Sequence, residues 1–247
     1  MRNQPEDTRL YLAQNPQLQE FLVHLYRSGT VQIAEEGEPG FRFKLHEKNP
    51  EAPLSPIKIH LCTPDIRSEG RLTAEDVQQI GRFFAAFVTD EGFDVRAIAG
   101  LPNAGDPLAR ALRDAMRPQE VALLKLEKVV TDQGRRIGGL IDTDRYLPGG
   151  SVWIIDDLAT HGDTKVEGAS SLCAAGYPVE HCLVLLEYGP RPAQEMRARD
   201  IQLHALTTVT QLVDFLQERN EISSFAYRRT IRYIEENHRG SLVSVYQ

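Results

Sequence analysis

From residue 73 onward, short apolar runs alternate with amphipathic stretches. The runs at 95–99, 121–126, 152–155, 179–186 and 201–206 are rich in Val, Ile, Leu and Ala and have the length of buried strands. Between them, Thr73 heads a segment in which Val77, Ile80, Phe84 and Phe87 recur at helical spacing. Residues 107–116 and 164–175 read as further helices, the second with Thr164 and Glu167 at capping-box spacing. The polar, basic, glycine-bearing stretch 133–139 reads as a loop. Two helices close the chain, one with Val209, Leu212, Val213 and Leu216 on a face, the other with Tyr227, Ile231 and Ile234. Ahead of residue 73 the pattern predicts a loose arm and then a helix burying Leu18, Phe21, Leu22 and Leu25, ended by Ser28-Gly29. Extended pieces follow at 31–34 and 41–45, then a Pro-bearing loop at 49–54 and a strand at 56–61.

Alternation of this kind predicts βαβ units on a mostly parallel central sheet flanked by helices, an α/β fold. In such sheets ligands bind beyond the carboxyl ends of the strands, so the residues after each strand carry the functional information. The 247 residues are enough for one α/β domain, 1–247. Within it, 1–69 reads as an N-terminal helix and hood, 70–207 as the α/β core and 208–247 as C-terminal helices.

Composition narrows the function only a little. A net charge of −7 argues against nucleic acid as a partner, since that binding wants a basic surface, but phosphate chemistry needs only local positive charge. No apolar run is long enough for a membrane span and the N-terminus has no apolar segment, so neither membrane nor export is expected. Cys62, Cys173 and Cys182 have no metal-type spacing and read as small buried hydrophobes in a reducing, cytoplasmic compartment. The histidines, among them His181 and His204, are scattered without ligand spacing.

The densest signal is Val152-Trp153-Ile154-Ile155-Asp156-Asp157-Leu158-Ala159-Thr160-His161-Gly162-Asp163-Thr164. A buried strand runs into two adjacent carboxylates, then a turn of small and hydroxyl residues, then a helix. Backbone N–H groups and the positive end of that helix converge to make an anion site. The acids beside it suit ribose hydroxyls, a developing sugar cation or a magnesium-bound water. This stretch resembles the phosphoribosyl-pyrophosphate signature of type I phosphoribosyltransferases. The resemblance implies that Asp156 and Asp157 hold the ribose, and that Ala159, Thr160, His161, Gly162, Asp163 and Thr164 hold the 5′-phosphate. Asp163 departs from the pattern, for a carboxylate aimed at a phosphate would repel it.

The outer segments are similar to the orotate branch of that family. The loop Pro102-Asn103-Ala104-Gly105 matches its pyrophosphate loop, with Ala104 where relatives often carry lysine. Lys125 and Lys128 fit the lysines of its catalytic loop, although the loop histidine is missing; Arg135 and Arg136 offer charge to a leaving pyrophosphate instead. Residues 127–139 are expected to form a closing loop, moving on Gly134, Gly138 and Gly139. Phe41-x-Phe43-Lys44 resembles the segment with a base-contacting lysine, and Tyr188 and Arg191 stand near the expected base pocket. The resemblance implies the type I phosphoribosyltransferase fold with a small hood from the N-terminal and C-terminal segments. It also implies phosphoribosyl transfer from phosphoribosyl pyrophosphate to orotate, with Mg²⁺ carried by the substrate and contacted by Asp156 or Asp157, in a homodimer. The departures leave open a transferase for another base and a non-catalytic nucleotide-binding homologue, and the layered pattern alone also fits an unrelated doubly wound nucleotide-binding enzyme.

Overall fold

The computed structural model describes residues 11–43, 45–116, 119–131 and 134–239, and the chain divides into two compact units. The first unit gathers both ends of the chain, residues 1–60, 188–190 and 207–247. Helix α1 (Pro16–Arg27) is capped by Asn15, whose side chain accepts from the Leu18 N–H, and it buries Leu18, Phe21, Leu22, Val23 and Leu25. Strands β1 (Val31–Ile33) and β2 (Ile57–Ile59) pair antiparallel, Val31 opposite Ile59. Among the described residues of the extended piece expected over 41–45, no strand forms. Only Phe41 bridges, to Ser55, and a short helix α2 (Leu45–Lys48) begins where a strand was expected. His46 is the local reason: its Nδ1 accepts from the Phe43 N–H at 2.9 Å, which turns the chain. Lys44 lies outside the described residues.

The second unit, residues 61–187 and 191–206, holds the α/β core. In chain order it contains α3 (Ala74–Asp90), β3 (Ala97–Gly100), α4 (Gly105–Ala115), β4 (Ala122–Thr131) and β5 (Gly134–Asp142). Then come β6 (Trp153–Ala159), α5 (Asp163–Ala174), β7 (His181–Glu187) and α6 (Arg191–Arg197), which the hydrophobic pattern did not predict. Strand β8 (Gln202–Thr208) leads into α7 (Val209–Glu218) and α8 (Ser224–Arg239) of the first unit. The sheet order is β5-β4-β3-β6-β7-β8, with β3 parallel to β4 and β6, β6 parallel to β7, and β4 antiparallel to β5. Strands β3, β6 and β7 are almost wholly buried, as the near-continuous apolar runs require of a sheet covered on both faces. Thr73 caps α3 through a full capping box with Asp76.

Two expectations change here. In the loop expected over 133–139 the described residues, from Gly134 on, are a strand: Gly134–Asp142 form β5, backbone-paired to β4 with Arg135 opposite Val130 and Arg136 opposite Val129. Charged residues conceal the strand, because on β4 Leu124 and Leu126 point inward while Lys125 and Glu127 face solvent. The reading of all three cysteines as buried also fails, since Cys173 is exposed on the outer side of α5 while Cys62 and Cys182 are buried.

Candidate active site

The order of strands reverses between β3 and β6: the chain builds outward from β3 through β4 on one side and from β6 through β7 on the other. Gly100, the last residue of β3, is level with Ile155, and the segments following both strands flank this switch point, where open α/β sheets bind ligands.

After β3 the chain folds back tightly. Leu101 N–H donates to the Ile155 carbonyl at 3.0 Å. A Cβ on Gly105 would lie 2.3 Å from the same carbonyl oxygen and 3.2 Å from Asp156 Oδ1, so only glycine permits this approach. Asn103 holds a positive φ of 86°, an uncommon backbone state outside glycine. Pro102, Asn103 and Ala104 remain partly exposed, and Ala104, the cap residue of α4, makes no side-chain cap. Lys125 is in register with Gly100 and exposed; its charge and that of Arg110 pull down the Asp106 carboxyl, which burial raises on balance.

After β6 the turn 160–162 leads into α5. Gly162 is the cap residue in left-handed conformation, φ 89°, and makes no side-chain cap. The box expected from Thr164 and Glu167 therefore does not form: the helix starts one residue earlier, at Asp163, and leaves its first N–H groups without a capping side chain. Thr160 and His161 are half-buried, while Asp163 and Thr164 are exposed.

Between the two turns lie the acids. Asp156 is buried, and its Oδ2 accepts from Lys165 Nζ at 2.6 Å. Lys165, buried as well, also donates to the Leu158 carbonyl at 2.5 Å. Asp157 keeps a partly exposed edge, and its Oδ1 accepts from the Leu158 N–H at 2.7 Å. Burial, and then the negative charge of Asp156, push the Asp157 carboxyl up to about 8, against the pull of Lys165. Burial lowers the Lys165 ammonium, but Asp156 and Asp157 outweigh it and the net shift is upward. Sequence reasoning missed Lys165. The available signal was a lysine in the first turn of a helix, where the helix dipole disfavours a cation that lacks acidic partners.

The remaining expected residues are placed as follows. Lys128 pairs with Ile137 further along β4, and Arg135 and Arg136 follow in β5, so these three lie on a strand pair. Arg191 opens α6 and is exposed; Tyr188 belongs to the first unit. Glu187, the last residue of β7, is opposite Ala159. Burial pushes its carboxyl up to about 7, against the Ala193 N–H that it accepts. Among the described residues no group of three or more His, Cys, Asp or Glu is arranged to hold a metal ion, and Asp156 is already engaged by an ammonium.

At the opposite ends of the strands, His181 Nδ1 and His204 Nε2 are 3.0 Å apart, in a cluster with Phe93 and Trp153. A recess of about 200 Å³ opens beside Phe93, Trp153 and His181, away from the acids because Trp153 and His181 begin their strands. Among the described residues no helix is long and apolar enough to cross a membrane.

No protein-family profile matches the chain. The uridine 5′-monophosphate synthase of Bos taurus is 27% identical over 155 residues, which cover 61% of this chain and 31% of that protein. The orotate phosphoribosyltransferase of Halalkalibacterium halodurans is 27% identical over 147 residues, 59% of this chain and 67% of the relative. Among solved structures, the UMP synthase of Leishmania donovani superposes with a TM-score of 0.65 at 23% identity, over 89% of this chain and 42% of that one. The chain thus spans only about a third of the bovine protein and under half of the Leishmania one. A mostly parallel sheet with two tight turns and paired acids at its switch point accompanies these likenesses: the chain has the phosphoribosyltransferase fold and is similar in sequence to orotate phosphoribosyltransferases.

Proposed function

We propose that this chain transfers the 5-phosphoribosyl group of phosphoribosyl pyrophosphate to orotate, giving orotidine 5′-monophosphate and pyrophosphate. The observation that carries the reading is the pair of helix starts, α4 and α5, that flank the switch point without side-chain caps while the acids of β6 stand between them. A helix start with free N–H groups suits an anion. Two such starts suit a sugar with a phosphate at each end.

In this reading the 5′-phosphate lies on Thr160–Thr164 and the pyrophosphate on Pro102–Gly105. Asp163 does not oppose this, because its side chain is exposed to solvent. The C1–oxygen bond breaks, its electron pair leaves with pyrophosphate, and a ring nitrogen of orotate closes the new C1–N bond as its proton passes to solvent. Positive charge develops on the sugar ring at the acidic end of β6; that charge favours the ionised form of Asp157, whose carboxyl burial and Asp156 otherwise hold up at about 8. Lys125, beside Gly100, neutralises the leaving group, with Lys128 and Arg136 further along the strand pair. If Mg²⁺ arrived with the substrate, Asp157 would be the carboxyl placed to meet it, and the ion would supply further neutralisation of the leaving group. Arg191, exposed at the start of α6, is the cation nearest in sequence to the end of β7 and is assigned to the orotate carboxylate. The reading includes a cytoplasmic homodimer.

Pyrophosphate release from phosphoribosyl pyrophosphate and Mg²⁺ on addition of orotate is the test. Release that requires orotate is expected. A chain that binds phosphoribosyl pyrophosphate but releases nothing with orotate, and does so with another base, would move the assignment to that base. Glu187 favours this second reading: a buried carboxyl at the end of β7 suits a base that presents N–H groups better than one that carries a carboxylate.

A further inference from the structure

The resemblance gives both acids of β6 the same task, yet their surroundings differ. Asp156 is largely enclosed. Its Oδ2 holds Lys165 Nζ at 2.6 Å, and its Oδ1 lies against Gly105, where even a Cβ would come within 3.2 Å. The Asp156 side chain is 10% exposed and that of Lys165 7%. Lys165 is further tied to the strand by the Leu158 carbonyl at 2.5 Å. A lysine on the first turn of α5 opposes the helix dipole, so its position is fixed by these acceptors and not by helix preference. Asp157, by contrast, keeps an exposed edge and a single backbone partner, the Leu158 N–H.

We infer that the paired acids divide the work: Asp157 alone grips the ribose hydroxyls, while Asp156 and Lys165 form a buried strut that positions it by locking the turn after β3, at Gly105, to the first turn of α5. The inference rests on the phosphoribosyl reading of the site and refines it. Lys165 and Asp156 are positioning residues that act through Asp157 and through the spacing of the two phosphate-facing turns. Removing the ammonium alone leaves a buried carboxylate beside Asp157, free to swing toward it. Neutralising both members together keeps the volume and removes the conflict.

The test is calorimetric binding of Mg²⁺-phosphoribosyl pyrophosphate to four folded chains, alongside melting temperatures and the KM and kcat of the orotate reaction. Lys165→Met is expected to melt earlier and to lose about tenfold or more in affinity, because it breaks one half of a buried pair. Lys165→Met combined with Asp156→Asn is expected to recover both, to within about threefold of the parent affinity, since it leaves no unpaired charge. Asp157→Asn is expected to lose about tenfold or more at an unchanged melting temperature, since the amide offers the ribose hydroxyls one acceptor oxygen where the carboxyl offers two. Recovery of melting temperature without recovery of binding in the double variant would overturn the division, for Asp156 would then be touching the sugar. If the parent chain binds no phosphoribosyl pyrophosphate at all, the functional reading falls and this inference with it; if the parent binds and the double variant behaves like Asp157→Asn, only the inference falls. Should the double variant not fold, a crystal structure of the parent with phosphoribosyl pyrophosphate decides: hydroxyls on Asp157 with Lys165 still on Asp156 support the strut, and a hydroxyl on Asp156 overturns it.

Discussion

The histidine pair at the far end of the sheet makes stability depend on pH in a way that one substitution isolates. His204 is buried, with Trp153 stacked at 5.2 Å and 11° between planes, Phe93 edge-on at 5.1 Å and Phe87 at 5.6 Å. Burial, then repulsion from His181, push its imidazole from 6.5 down to about 3. His181 is lowered too, by burial, against the pull of Glu180. Below pH 6.5 the unfolded chain protonates residue 204 and the folded chain does not, so the unfolded state holds the extra proton and folding weakens as pH falls. The slope is about 1.4 kcal/mol per pH unit, or about 2 kcal/mol between pH 6.5 and 5.0. His204→Phe keeps an aromatic ring among the three others and removes the titration. It loses the bond to His181, a roughly constant cost of about 1 kcal/mol. Urea unfolding of both chains at pH 7.5, 6.5, 5.5 and 5.0 reads the difference directly, and the variant is expected to gain on its parent by about 2 kcal/mol across the acidic half of the series. A difference that stays level within about 0.5 kcal/mol would refute the claim that His204 is held neutral, since additive surface effects are of that size.

Gly105→Ala would place a methyl group 2.3 Å from the Ile155 carbonyl oxygen, a backbone atom that cannot turn aside; a loss of about 1–3 kcal/mol in thermal or urea unfolding is expected, with weaker phosphoribosyl pyrophosphate binding than its stability loss explains. Glu187, raised to about 7 from 4.5, holds a proton longer in the folded chain than in the unfolded one, so its contribution to stability declines as pH rises between those values. Glu187→Gln should therefore gain on the parent by up to about 3 kcal/mol between pH 4.5 and 8, read from urea midpoints; a difference independent of pH would show the carboxyl to be well solvated.

The strands of the core were legible because a sheet buried on both faces leaves uninterrupted apolar runs, and the run ending in Asp156-Asp157 carried its own chemistry with it. The hairpin of β4 and β5 was not legible, because its outward residues Lys125, Glu127 and Arg136 are charged and exposed, and a glycine-bearing basic stretch looks the same in a loop. Helix α6 has only seven residues, too few for a periodic face to emerge. The clearest limit concerns partners. The two acids were legible, whereas Lys165, nine positions beyond Asp156, showed only as a cation in the first turn of a helix, and its return to one of those acids depends on tertiary packing. The meeting of His181 and His204 was hidden for the same reason: neighbouring strands bring together side chains 23 positions apart.

Strand β4 continues past Lys125, the last residue opposite β3, so the far part of the β4–β5 pair runs on as a two-stranded arm with its own backbone ladder. The register slips at Lys125/Leu126 and at Leu126/Lys128, at the root of the arm. Such irregularities bend a ribbon without unzipping it. Any movement of this arm over a ligand would swing a preformed lever about its base. The chain would then escape most of the ordering entropy, about 1–2 kcal/mol per residue, that a coil must surrender to become a lid.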